Sequence, residues 1–169
     1  MAVYLMDESR FGLLSIQRRC LTARGTKPIV PYQHRFKNFY LFGAYAPISG
    51  DHFTVEMPYC NTDCFQAYLE ALAAHRPEEF KVVILDNGAF HKAKRLDIPA
   101  NIALLFLPPY SPELNPAEQI WRYVKDRLAN QIFKSLEDLA DAVAEITQTL
   151  SPEIVKSITG RSLYSQCVF

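Results

Sequence analysis

The chain of 169 residues carries no net charge: 18 lysines and arginines are matched by 18 aspartates and glutamates. That balance withholds the positive excess that phosphate contacts usually require of a nucleic-acid-binding domain. No apolar run approaches the roughly 20 residues that cross a bilayer. The opening Met1 to Met6 is too short for a signal peptide and meets Asp7 and Glu8 at once. A cytoplasmic protein without a membrane partner is the expectation. Internal repeats, low-complexity stretches and Gly/Ser linkers are also missing, which points to one domain over residues 1–169. The four cysteines are scattered. Cys60 and Cys64 have His52 and His75 nearby in sequence, yet the second paired ligand block of a zinc site is lacking, so free thiols are expected.

Hydrophobic residues make up 49% of the chain, enough for a real core. Val3 to Asp7 reads as a buried strand ending in a carboxylate, and Arg18 to Tyr32 as a second strand with a turn. Phe39 to Ala46 is a third strand, and His52 to Met57 pairs back on it as a hairpin. Thr62 to Ala74 repeats Phe65, Leu69 and Leu72 at helical spacing. Lys81 to Asp86 is β-branched and apolar, the pattern of a central strand. A short helical piece follows near His91 to Leu96, then a strand from Ile102 to Leu107. Asn115, Pro116 and Glu118 form a helix start, with Ala117, Ile120, Trp121, Val124 and Leu128 as its apolar face. A last helix spans about Ser135 to Leu150. This order describes a mixed α/β domain whose central strands are covered on both faces.

Asp7 and Asp86 each close an apolar strand, where a charge is costly unless paired or bound to a metal. If those strands are neighbours, both carboxylates leave the sheet at one edge, and Glu118 can add a third oxygen. Such a donor set suits Mg2+ or Mn2+, and two such ions suit in-line displacement at a phosphodiester. Each residue also has a plainer explanation: a turn at Asp7, an Asp-Asn-Gly turn at Asp86, a capping box at Glu118. Glu8 should point to the opposite strand face, and Glu113 is a weaker third candidate. Glu118 shares its helix face with Arg122 and Lys125, and Arg122 reads as its i, i+4 partner. Positive charge is clustered: Arg18, Arg24 and Lys27 in one stretch, His91, Lys92 and Lys94 in another. With Arg122, these are the candidate DNA contacts, though a solvated surface explains them as well. Tyr110 and Trp121 read as packing residues.

Three blocks occur in order: Met6-Asp7-Glu8-Ser9-Arg10-Phe11-Gly12, then Leu85-Asp86-Asn87 followed by His91, then Leu107-Pro108-Pro109-Tyr110-Ser111-Pro112-Glu113-Leu114-Asn115-Pro116-Ala117-Glu118-Gln119-Ile120-Trp121. Together they resemble the DDE transposase catalytic domain of the mariner-like superfamily, in particular its bacterial insertion-sequence branch. The resemblance runs from about Tyr4 to Leu150. It implies a ribonuclease H-like fold with a sheet of about five strands. It makes Asp7, Asp86 and Glu118 the catalytic and metal-binding triad, holding two Mg2+ or Mn2+ ions. It also implies cleavage at element ends and strand transfer into target DNA by a homodimer. The helix-turn-helix region that such enzymes carry upstream has no counterpart here, so a separate N-terminal DNA-binding polypeptide is a possible partner. An idle remnant that binds DNA or a partner, and a stand-alone ribonuclease H-like nuclease, are the alternatives.

Overall fold

The computed structural model describes residues 1–109, 111 and 114–160. Five strands form one mixed sheet: β1 (Ala2–Gly12), β2 (Asn38–Tyr45), β3 (His52–Met57), β4 (Lys81–Leu85) and β5 (Ile102–Phe106), in the order β3-β2-β1-β4-β5. β1, β2 and β3 pair antiparallel, whereas β1, β4 and β5 run parallel. The helices are α1 (Thr62–Ala74), α2 (Ala117–Leu128), α3 (Leu136–Gln148) and α4 (Pro152–Thr159).

Side chains alternate across β1 with period two, and each face has its own core. Tyr4 and Met6 pack with Phe42, Val83 and Leu85 under the buried stripe Phe65, Tyr68, Leu69 and Leu72 of α1. Leu5 and Phe11 pack on the other face with Tyr45, Ile84 and the apolar sides of α2, α3 and α4. The buried residues of α2 are Ala117, Ile120, Trp121, Val124 and Leu128, the face its periodicity predicts. α3 begins in a capping box between Ser135 and Asp138.

The structure corrects several expectations. Asp7 does not end its strand, because β1 continues to Gly12 along β2. Parallel pairing with β4 stops at Leu5–Ile84, so Asp7 lies just past the parallel ladder. No strand forms over 18–32. Residues 13–37 are instead an arm that leaves β1 and returns to β2, tied by Leu13 N–H to Lys37 O (3.0 Å) and Ser15 N–H to Gln33 O (3.1 Å). Its tip carries Arg19, Arg24, Gly25 and Lys27 exposed, with no neighbouring edge to pair with. The helical piece near His91 is a single 3-10 turn, Ala89–Lys92. α4, with Pro152 at its start, is an element the sequence reading did not contain.

An arm of this kind should be the first segment to yield to protease, since backbone exposure governs local cutting. Limited trypsin treatment is expected to cut after Arg19 and Arg24 before any site in the strands, with the rest remaining folded by circular dichroism. Protection at Arg24 equal to that of the sheet would contradict the arm.

Candidate active site

The register of β1 against β4 decides where the acids meet. Leu5 is level with Ile84, so continuing the parallel register two residues sets Asp7 level with Asp86. Odd-numbered residues of β1 face α2, which turns Asp7 toward that helix and Glu8 toward α1. Asp7, Asp86 and Glu118 line one open cavity of about 460 Å³, together with Asn87, Gly88, Leu107, Pro108, Pro109, Ser111 and Asn115. No lysine or arginine is among these lining residues. Asp86 and Glu118 are exposed, and Asp7 is half-buried. Glu113 and Tyr110 lie outside the described residues.

Two hydrogen bonds fasten α2 to β1 at this point. Asn115 is buried, donates from Nδ2 to Met6 O (2.9 Å) and accepts from the backbone N–H of Ala117 (3.2 Å). Trp121 donates from Nε1 to Asp7 Oδ2 (2.9 Å). Asn115 thus holds the first N–H of α2, one residue ahead of the N-cap position at Pro116, and also grips the residue before Asp7. Glu118 projects into the cavity instead of closing a capping box. Trp121 reaches Asp7 across Gly43, the residue paired with Asp7 on β2. A Cβ there would stand 2.5 Å from Tyr45 Oη and 2.7 Å from Trp121 Cη2, so only glycine leaves room for the indole. The Trp121 ring also meets Phe11 and Tyr45 edge-on, at centroid distances of 6.3 and 5.6 Å. Trp121 is therefore more than a packing residue.

Asp86 is shaped by its own turn. Gly88 donates its N–H to Asp86 Oδ1 (2.8 Å), and Asn87 bonds Leu107 O and the Lys92 ammonium. The Asp-Asn-Gly turn and the cavity-facing carboxylate are two aspects of one structure. His91, a candidate DNA contact by sequence, is 2% exposed and sits behind the site. Its Nε2 is 2.8 Å from Glu8 Oε1, and its Nδ1 is 2.9 Å from Asp86 Oδ1. The second contact is too poorly aligned for a hydrogen bond, so it acts through charge. Burial opposes charge on His91, but the hydrogen bond and charge of Glu8, with the charge of Asp86, outweigh it and raise the ring's pKa. Glu8 and His91 form a buried brace behind Asp86, which is why Glu8 faces away from the cavity.

Burial pushes the Asp7 carboxyl up to about 7, the charges of Glu8 and Glu118 push the same way, and the Trp121 bond offsets part of this. The thiol of Cys60 is raised to about 11 by burial and then by Glu8, Asp7 and Asp86. The Tyr45 hydroxyl, buried and without a hydrogen-bond partner among the described residues, is raised by burial and by Asp7. Asp7, Cys60 and Tyr45 are thus all shifted in the direction that burial and nearby negative charge favour. Among the described residues, however, no three His, Cys, Asp or Glu side chains are already grouped to hold one ion.

The other sequence candidates are dispersed. Arg18 pairs with Asp126 (2.7 Å) and lines a different cavity. Arg24 and Lys27 are at the exposed arm tip. Lys92 bonds Asn87 and lies 4.7 Å over the Phe106 ring, and Lys94 is exposed. Arg122 does not pair with Glu118; it is 3.9 Å from Asp126. Cys20, Cys60 and Cys64 are free thiols, and His75 bonds Asp51 (2.9 Å). No helix among the described residues is long and apolar enough to cross a membrane.

Residues 2–140 match the family model described as DDE superfamily endonuclease. An uncharacterized protein of Sinorhizobium fredii, y4pE/y4sA, is 40% identical over 102 residues, covering 59% of this chain and 76% of that protein. Among solved structures, the Mos1 transposase paired-end complex with left transposon end aligns at a TM-score of 0.71 and 20% identity, over 95% of this chain and 52% of that one. The Mos1 mariner paired-end complexes with Mn and with Mg align at TM-scores of 0.72 and 0.69, at 20% and 18% identity, with the same coverage. The chain therefore spans about half the length of the Mos1 chains it matches. At this identity the likeness shows the fold, which is ribonuclease H-like.

A proton held at Asp7 makes the metal-free fold sensitive to pH. A carboxyl raised to about 7 keeps a proton that the unfolded chain releases near 4. Stability from this group is thus fully present below about pH 4 and is lost as pH rises to about 7. In chelator, Asp7→Asn is expected to raise Tm by roughly 5 °C at pH 8 and by nothing near pH 4. An unchanged Tm at pH 8 would mean that Asp7 is not under this strain. Gly43→Ala should cost about 1–3 kcal/mol in urea unfolding by displacing the two rings beside Asp7.

Proposed function

We propose that this chain, which belongs to the DDE superfamily endonucleases, is the catalytic domain of a transposase that cuts and rejoins DNA at a divalent-metal site formed by Asp7, Asp86 and Glu118. The observation that carries this is the convergence of three carboxylates from β1, the turn after β4 and α2 on one cavity that has no cation among its described lining residues. A polyanion cannot approach three carboxylates unaided, and the Asp7 carboxyl already resists ionising because of its burial and the charges of Glu8 and Glu118. The donors are all hard oxygens, which fit Mg2+ or Mn2+. Mos1 structures with Mn and with Mg agree with this choice of ion. Asp7, Asp86 and Glu118 would together hold the ions. When bound, such ions supply Lewis acidity and lower the pKa of an attacking water.

The chain's own residues supply position. Trp121 and Asn115 orient Asp7 and the first turn of α2, and Gly88 and His91 orient Asp86. The reaction is in-line displacement at phosphorus: water or a 3′-hydroxyl forms a new P–O bond as the opposite P–O bond breaks. The substrate in this reading is DNA at the ends of a mobile element and at a target. Two such domains working on two ends, as a homodimer, belong to the same reading, in keeping with the paired-end form of the Mos1 complexes.

The test is nicking of supercoiled DNA by the purified chain with Mg2+ or Mn2+. Asp86→Ala and Glu118→Gln are each expected to lower the rate at least 100-fold, and chelator to abolish it. Mn2+ should also raise the Tm of the wild type and not of Asp7→Asn. Nicking that survives Asp86→Ala refutes the triad, and absence of both nicking and metal-induced stabilisation leaves a folded but idle domain.

A further inference from the structure

We propose that Tyr45 is a positioning residue for Asp7 in the metal-bound protein: its buried hydroxyl donates a hydrogen bond to the Asp7 carboxylate when that carboxylate ligates a cation. The inference rests on the metal-site reading above and deepens it, by assigning a donor that the metal-free protein leaves idle.

Tyr45 is fully buried, and its Oη has no hydrogen-bond partner among the described residues. Buried polar side chains are nearly always partnered, so an unpartnered one in a packed core calls for a cause. Packing gives none. On the same face of β2, Phe39 is buried in the same core without a hydroxyl. A phenylalanine at position 45 would keep both ring contacts of Tyr45, the stack on His52 at 6.2 Å and the edge-on contact with Trp121 at 5.6 Å. The oxygen therefore adds a desolvation cost without improving the core.

Its location supplies the cause. Gly43 is paired with Asp7, and a Cβ on Gly43 would stand 2.5 Å from Tyr45 Oη. The hydroxyl thus lies over the backbone beside Asp7, on the sheet face to which Asp7 points. The same Cβ would stand 2.7 Å from Trp121 Cη2, and Trp121 donates to Asp7 Oδ2 (2.9 Å). Phenol and indole therefore converge over one glycine, with the acid next to both. Burial and then the charge of Asp7 hold the Tyr45 hydroxyl above its ordinary range, so the two groups already act on each other.

A carboxylate that ligates a cation is an acceptor only, with lone pairs left over for donors behind it. Trp121 has a single N–H to give, whereas the Tyr45 O–H rotates to suit a partner. Donors behind a ligating carboxylate fix its direction and strengthen the metal site. In the bound state the phenol finds the partner that it otherwise lacks.

The test separates metal affinity from stability. Mn2+ binding to the purified chain is titrated by electron paramagnetic resonance of the free ion, and Tm is measured in chelator. Tyr45→Phe is expected to weaken Mn2+ affinity by about 10- to 100-fold. Its Tm in chelator should be higher than that of the wild type by about 3 °C, because a buried hydroxyl without a partner is removed. The Mn2+ concentration for half-maximal nicking should rise with the loss of affinity, and the rate should recover at saturating Mn2+. Tyr68→Phe is the control: Tyr68 is equally buried, on the opposite sheet face, and donates its hydroxyl to Phe53 O (3.2 Å). That change should lower Tm and leave Mn2+ affinity unaltered. Wild-type Mn2+ affinity in Tyr45→Phe, or a Tm in chelator below that of the wild type, overturns the assignment. If Asp86→Ala loses Mn2+ while Tyr45→Phe retains it in full, the Tyr45 assignment fails alone. A wild type that binds no Mn2+ sinks the metal site, and the assignment with it.

Discussion

Everything at the acidic cavity depends on α2 being held against β1. The carboxylates of Asp7 and Glu118 are far apart in sequence, and no covalent or local constraint brings them together. Two side chains of the helix do it: Asn115, bonded to Met6 O, and Trp121, bonded to Asp7 itself. Both are buried, where a hydrogen bond left unmade costs about 1–3 kcal/mol, so the helix cannot slide or rotate without a penalty. The apolar face of α2 on Phe11, Tyr45 and Leu5 supplies the bulk attraction, and the two polar bonds select one register within it. Gly43 is the complementary condition, because any side chain there would occupy the space of the indole. The anchoring therefore links a packing decision on β2 to the position of a carboxylate on β1.

The same anchoring concentrates negative charge. Asp7 is half-buried with Glu8 behind it and Glu118 in front, and its carboxyl is pushed up to about 7 in consequence. A fold selected for stability alone would place an asparagine at this position. Keeping the acid is a cost borne by the metal-free protein, and in the function proposed above a divalent cation would offset it. The brace of Glu8 and His91 is consistent with that view. A neutral residue behind Asp86 would cost less to bury than an ion pair, but it would not set the direction of the carboxylate.

How much of this could be read in the sequence follows from the range of each interaction. β4 and the buried face of α2 were legible because period and β-branching are local signals. The turn at Asp86 was legible for the same reason. The extent of β1 was not: its apolar run stops at Met6, yet the strand continues through Glu8, Ser9 and Arg10 because β2 pairs with it there. Residues 18–32 have some strand character, but a strand needs a neighbour, and the arm has none. The roles of Trp121 and His91 were hidden because each depends on a residue distant in sequence, Asp7 across Gly43 for the first and Glu8 for the second. Charge clusters misled in the same way. His91 and Lys92 are engaged by the protein itself, whereas Arg10, Lys37 and Lys125, from three separate segments, share one cavity with Arg18 and Arg35.

Zero net charge is the feature least suggestive of a DNA-handling protein, and the structure gives it a different meaning. The positive and negative groups are not mixed evenly: among the described residues, one cavity is lined by three carboxylates and no cation, and the other by five cations and no carboxylate. A sum over the chain cancels them, although they are held in separate places. A uniformly basic surface would attract DNA everywhere and position it nowhere. Charge balance in this fold is thus compatible with polyanion handling, provided that α2 keeps its two ends in the places that Asn115 and Trp121 assign.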